Sequence, residues 1–239
     1  MKLIGAALFG AFAGTIWAQP ALTAEQVLEK SIEASGGRKA IERITSTVGK
    51  GTLEVPSQAV TAPFEYFAKA PDKRLIVVKV EGWGELRRGC DGQTAWEDHP
   101  TNGFRVTEGE EREETLRDCV FNGELKWREQ YPKVELAGKE KIGEREAYKV
   151  VMTTASGKPI TRHYDADTFL LLSQLTTRNT AQGTIEVRAE FSDYREVDGI
   201  KGPSVIKEIT AGQEVIIRIL EIKNNVAIED ARFAKPAAK

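Results

Sequence analysis

The stretch Ala62-Pro63-Phe64-Glu65-Tyr66-Phe67-Ala68 sets Ala62, Phe64, Tyr66 and Ala68 at alternate positions, Pro71-Asp72 interrupts it, and Leu75 to Val80 follows as a β-branched run. A period of two broken by turn residues marks antiparallel strands rather than helix. The same rhythm spreads outward in both directions. Upstream it begins near Thr47. Downstream Gly82, Gly84 and Gly89 punctuate a stretch that leads to Trp96 and stops at His99-Pro100. The second half is a meander: Lys133 to Leu136, Tyr148 to Thr154, Ile160 to Tyr164, Phe169 to Thr177, Ile185 to Tyr194, Pro203 to Thr210 and Glu214 to Ile222. About ten or eleven strands joined by hairpin-length connections need a closed or strongly curled antiparallel sheet.

Helix is brief. Thr23 and Gln26 form a T-x-x-Q capping box ahead of Val27, Leu28 and Ile32, with Gly36-Gly37 as the stop. Arg38 to Ile44 continues as a second short piece, and a third helical pattern with an acidic front runs between Glu108 and Glu124. The class is therefore α+β, mainly antiparallel β.

The 239 residues carry 34 basic and 36 acidic side chains, a formal net charge of −2, which gives no global field to gather nucleic acid. Lys2, the apolar run Leu3 to Ile16 and Ile16-Trp17-Ala18 read as a secretory signal peptide cleaved near Ala18. The alternative is a membrane anchor, but the run falls short of the roughly 20 apolar residues that a span requires. The expected organisation is a signal peptide over residues 1–18 and one domain over 19–239, periplasmic after cleavage. Removing the leader takes one cation, Lys2, and leaves the domain mildly acidic. In an oxidising compartment Cys90 and Cys119 are expected to form a disulfide, two buried thiols being the alternative.

No catalytic kit is visible. His99 and His163 are the only imidazoles, and no G-x-S-x-G, H-E-x-x-H, P-loop or G-x-G-x-x-G motif occurs. His163 reads as a surface or edge residue of a hairpin. His99 follows Glu97 and Asp98, which point to opposite sides of an extended chain and so make a poor metal site. The cluster Glu108, Glu110, Glu111, Glu113 and Glu114 reads as a solvated helix N-terminus favoured by the helix dipole. No catalytic residue, metal or cofactor is expected, and the chain is not expected to be an enzyme.

Several features together carry a resemblance. Ala70-Pro71-Asp72-Lys73-Arg74-Leu75 opens a strand, Asp91-Gly92-Gln93-Thr94 followed by Trp96 makes a hairpin, and Phe233-Ala234-Lys235-Pro236 closes the chain. In this order they resemble the bacterial periplasmic lipoprotein carriers and outer-membrane lipoprotein-sorting proteins. The segment Tyr194 to Pro203 and the cysteine pair depart from the carrier pattern. The resemblance implies a curled, unclosed barrel whose concave face is covered by short helices and encloses an apolar cavity for acyl chains. Candidate cavity residues are Phe64, Tyr66, Leu75, Val77, Trp96, Val150, Met152, Val187, Phe191 and Ile217, with Ile185, Val215 and Ile219 beside them. The implied partners are lipid or lipoprotein acyl chains and envelope membrane proteins, the protein acting as a monomer. A non-catalytic interaction or envelope-sensing domain of the same fold is the competing expectation.

Overall fold

A computed structural model describes residues 22–180 and 183–236, so the expected signal peptide lies outside the described residues. Thr23 caps the first helix, α1 (Ala24–Ala34), as expected. The Gln26 amide donates to its hydroxyl, and the Thr23 amide donates to the Gln26 side chain at 2.9 Å. Helix α2 (Arg38–Glu42) follows directly.

Six strands come next: β1 (Ser46–Val55), β2 (Val60–Lys69), β3 (Lys73–Val80), β4 (Gly84–Cys90), β5 (Ala95–His99) and β6 (Gly103–Val106). Helices α3 (Gly109–Cys119) and α4 (Trp127–Gln130) lead to β7 (Lys133–Ile142), β8 (Arg145–Thr153), β9 (Pro159–Asp165), β10 (Leu171–Thr180), β11 (Gly183–Val197), β12 (Ile200–Thr210) and β13 (Gln213–Asn224). The count is thirteen where the periodicity gives ten or eleven. The four-residue β6 is too short to show a period, and the glycine-punctuated β4 hides its own.

The strands form one antiparallel sheet in the order β6-β5-β4-β3-β2-β1-β13-β12-β11-β10-β9-β8-β7. The chain enters at the centre on β1 and zigzags to one edge at β6. The α3 and α4 segment then carries it to the opposite edge at β7, and it zigzags back until β13 pairs with β1. The sheet is curled and unclosed, with its short helices on the concave face.

Each face holds its own core. On the concave side Val27, Leu28 and Ile32 of α1 pack with Trp127 and Tyr131 onto Val150, Met152, Ile160 and Tyr164. On the convex side the segment after β13 crosses back over the sheet, and its Ile228 and Phe233 pack onto Phe67, Leu75, Val77 and Trp96. The Trp96 ring lies over Gly89, its cross-strand partner. A Cβ at Gly89 would come within 2.6 Å of that ring, so the glycine is what lets the indole lie flat. Cys90 and Cys119 are bonded with their Cα atoms 6.7 Å apart, which ties the C-terminal end of α3 to β4.

Candidate functional site

Residues directly opposite in adjacent strands share a face of the sheet. Ala62 of β2 faces Leu53 of β1, Leu53 faces Ile217 of β13, Ile217 faces Ile206 of β12, and Ile206 faces Phe191 of β11. One row of apolar side chains thus runs across five strands on the concave side. Ala62 is fully buried, while Leu53, Ile217, Ile206 and Phe191 are only half-buried, so the helices leave part of this floor open.

Beside the row the register of β13 slips. Lys50 pairs with Glu221 and Gly51 with Ile219, which leaves Leu220 as an extra residue, 67% exposed. A side chain at Gly51 would collide with the Arg218 carbonyl, so the bulge needs glycine opposite it. Next to the bulge lies a cavity of about 200 Å³. Ile41 and Ile44 cover it from the α2 side, Val197, Ile200 and Pro203 form one wall, and Ile219, Leu220 and Ile222 form the other. Asn122, Glu124 and Arg195 supply polar groups at its boundary.

Helix α3 closes the concave face by gripping both halves of the sheet. On the β4 to β6 side it holds the disulfide, a two-pronged contact of Arg105 with Glu111 at 2.7 and 2.5 Å, and a hydrogen bond from Arg74 to the Asp118 carbonyl at 2.9 Å. On the far side Arg178 meets the Asp118 carboxylate at 2.6 Å. Glu114, buried, accepts from Lys158 Nζ at 2.9 Å and from the Asn179 backbone amide at 3.0 Å. The acidic helix front is therefore not simply solvated, because Glu111 and Glu114 are clamps. Burial would raise the Asp118 carboxyl, but Arg178 and Arg74 outweigh it and hold it below the usual range. Burial pushes the Tyr66 phenol up.

The ten candidate residues are divided between the faces. Phe64 and Tyr66 are on the concave side, Phe64 against Ala62 and Val78, Tyr66 near Ile44 and Phe121. Val187, Phe191 and Ile217 also face it, the last two within the apolar row. Val150 and Met152 face it too, but lie fully covered by α1. Leu75, Val77 and Trp96 are on the convex side, against a groove of about 650 Å³ along the C-terminal segment. Leu75, Val77 and Trp96 therefore lie on the face opposite Phe64 and Tyr66 and do not share one cavity with them. The cavity residues absent from the candidate set are Ile41, Ile44, Val197, Ile200, Leu220 and Ile222. A signal for part of the set was present, since Arg195, Val197, Ile200, Gly202 and Pro203 belong to the Tyr194 to Pro203 segment that departs from the carrier pattern.

His163 is a correction to the surface or edge reading. It is buried, with Nδ1 2.8 Å from Ser173 Oγ and Nε2 2.6 Å from Glu140 Oε1, in the interior strand β9. The Ser173 hydroxyl is itself buried, so this chain of polar groups presents no nucleophile. His99 Nδ1 lies 2.8 Å from Thr101 Oγ1, and Glu97 is held by Arg88 and Arg105. Among the described residues no group of three or more His, Cys, Asp or Glu is placed to hold a metal ion.

No protein-family model and no curated protein sequence matches the chain. Solved structures do. A DUF1329 family protein from Desulfovibrio piger aligns over 88% of this chain and 97% of its own at 14% identity, with a TM-score of 0.62. The LolA superfamily protein NE2245 from Nitrosomonas europaea aligns over 90% and 99% at 13% identity, TM-score 0.59. An outer-membrane lipoprotein-sorting protein domain from Vibrio parahaemolyticus aligns over 88% and 97% at 13% identity, TM-score 0.56. At such identities the likeness is one of architecture: the chain shares its fold with these three structures.

Proposed function

We propose that the concave face binds acyl chains, of free lipid or of a lipidated protein, and that the protein does so in the bacterial envelope after export, as a carrier or binding module and not as a catalyst. The observation that carries this reading is the half-buried apolar row from Leu53 to Phe191, with the cavity lined by Ile219 two residues beyond Ile217 on the same face of β13. An acyl chain laid there gains about 0.8 kcal/mol per buried methylene, enough to offset ordering costs without any specialised polar chemistry. The fold agrees, because a curled open sheet under short helices can hold an apolar ligand that a closed, filled barrel would exclude. The disulfide supports an oxidising compartment.

The test is displacement of a fluorescent fatty acid, measured together with thermal unfolding. Leu220 is largely exposed, so Leu220→Asp places a charge in the cavity at little cost to the fold. We expect probe affinity to fall about tenfold or more while the melting temperature moves little. Phe104→Asp, at an exposed position on the convex side, serves as the control and leaves binding unchanged. A wild type that binds no acyl probe, or a Leu220→Asp variant that binds like wild type, overturns the reading, and the first result turns attention to a protein partner. N-terminal sequencing of the exported protein is expected to begin at Gln19, and a chain still beginning at Met1 would contradict cleavage.

A further inference from the structure

Arginines gather on the concave side around one carboxylate. Arg74, Arg117, Arg162 and Arg178 all lie within electrostatic reach of Asp118 near the end of α3. Arg178 is paired with its carboxylate and Arg74 with its carbonyl. Neither Arg117 nor Arg162 has a carboxylate at ion-pair distance among the described residues, and the Nε of Arg117 is buried without a hydrogen-bond partner. Arg162 is held by neutral groups instead. Its Nε donates to Gln174 Oε1 at 2.8 Å, and its guanidinium stands 5.9 Å from the centre of the Tyr131 ring.

Arg162 is partly buried, and a guanidinium without a carboxylate at ion-pair distance gains from a ligand that brings one. Space for it exists. Arg162, Tyr164, Ser31, Ser35 and Glu124 border a chamber of about 40 Å³, against the ~10–15 Å³ that admits a single water. Glu124 borders both this chamber and the larger apolar cavity, so the two spaces adjoin across one side chain.

We propose that Arg162 is the headgroup site of this cavity and takes the oxyanion of a single-chain amphiphile, a fatty-acid-like carboxylate, whose chain lies in the apolar cavity beyond Glu124. This rests on the reading of the concave face as an acyl-chain site. Glu124 does not bar a carboxylate. Desolvation pushes its carboxyl above the ordinary value, against its own backbone hydrogen bond and Arg162, which weakens its repulsion of an incoming oxyanion.

The experiment compares dodecanoate with dodecanol, which share a chain and differ in the head, by displacement of a neutral fluorescent amphiphile from the full-length mature protein. Wild type is expected to bind the acid about tenfold or more tightly than the alcohol, the scale of a charge-assisted hydrogen bond. Arg162→Gln should bring that ratio close to one, and Arg162→Lys should restore most of it, with melting curves confirming that both variants fold. If wild type binds acid and alcohol equally, or if Arg162→Gln keeps the preference at an unchanged melting temperature, the headgroup assignment is wrong and the acyl-chain reading stands. If neither amphiphile binds, both fall. Inorganic phosphate and acetate are titrated alone, and displacement of the probe by either at low millimolar concentration would assign the arginine to a free oxyanion and overturn the amphiphile.

Discussion

The indole Nε1–H of Trp96 donates to the carbonyl oxygen of Phe233 across 3.1 Å, and both residues are almost completely excluded from solvent. The Asp91 to Trp96 hairpin and the Phe233 to Pro236 tail, separated by most of the chain, therefore meet on the convex side as one packing unit. Phe233→Ala should cost about 3 to 5 kcal/mol, since it empties the centre of that cluster. Trp96→Phe keeps much of the packing and orphans one buried carbonyl, at about 1 to 3 kcal/mol. Chemical denaturation measures both. Fatty-acid affinity of the folded variants should stay at the wild-type value, because the pair lies on the face opposite the cavity.

Strand periodicity made the existence of most elements legible, as did the Thr23 cap and the Asp91-Gly92 turn. Periodicity also groups residues within a strand, so Phe64 and Tyr66 are rightly placed together. It does not say how the faces of successive strands line up. That is set by turn length and register: Phe67 pairs with Leu75 and Glu65 with Val77, which puts Leu75 and Val77 opposite in facing to Phe64. Trp96 follows them through Gly89. The cavity was harder to foresee because it depends on a one-residue slip between β1 and β13 that exposes Leu220, and no local pattern in Arg218 to Ile222 announces a bulge. His163 reads as peripheral because its neighbours in the hairpin are polar. It is interior because Ser173 and Glu140 reach its two nitrogens from the strands and side chains around it.

The C-terminal segment is also held electrostatically. Asp230 sits 2.7 Å from both Lys69 Nζ and Lys73 Nζ, and hydrogen bonds from these two lysines bring its carboxyl down to about 2. An aspartate with a depressed pKa stabilises the fold above its unfolded value of 3.8 and loses that contribution as pH falls through about 2. Wild type should therefore melt above Asp230→Asn at pH 5, with the difference closing toward pH 2. The group is exposed, so high salt should also shrink the difference at pH 5. A gap independent of both pH and salt would contradict the ion-pair account.

His163 acts in a higher window. Burial pushes its imidazole below the ordinary value of 6.5, with Glu140 opposing that shift in part. The unfolded chain then takes up the proton first as pH falls, so the stability tied to a neutral His163 is complete above about 6.5 and declines below it. His163→Gln cannot titrate there. The stability of wild type relative to this variant should drop between pH 7.5 and 5.5 in denaturant melts, and a difference that rises on acidification would show that the Glu140 contact dominates instead.

The last prediction concerns the two grips of α3. The disulfide closes a loop of about 28 residues, and removing it by Cys90→Ser with Cys119→Ser should cost about 3 kcal/mol in the chain-entropy account. On the far side Glu114→Ala leaves the Asn179 backbone amide without its acceptor, while Lys158 keeps Glu110, at about 1 to 3 kcal/mol. The grips fall on opposite halves of the sheet and are joined only through the helix. If these two holds act together through α3, either change alone leaves the other in place, and the triple substitution leaves the Arg105–Glu111, Lys158–Glu110 and Arg178–Asp118 pairs as the remaining ionic holds. Its combined cost should then differ from the sum of the separate costs by more than the ~0.5 kcal/mol expected of independent sites. Hydrogen exchange supplies the structural readout. Amides of Arg112 to Asp118 should remain protected in the Cys90→Ser, Cys119→Ser protein and in Glu114→Ala, and exchange much faster only when all three are changed. Additive energies with protection retained would mean that the remaining ion pairs of Glu111 and Asp118, with the packing of Leu116, hold the helix without either clamp.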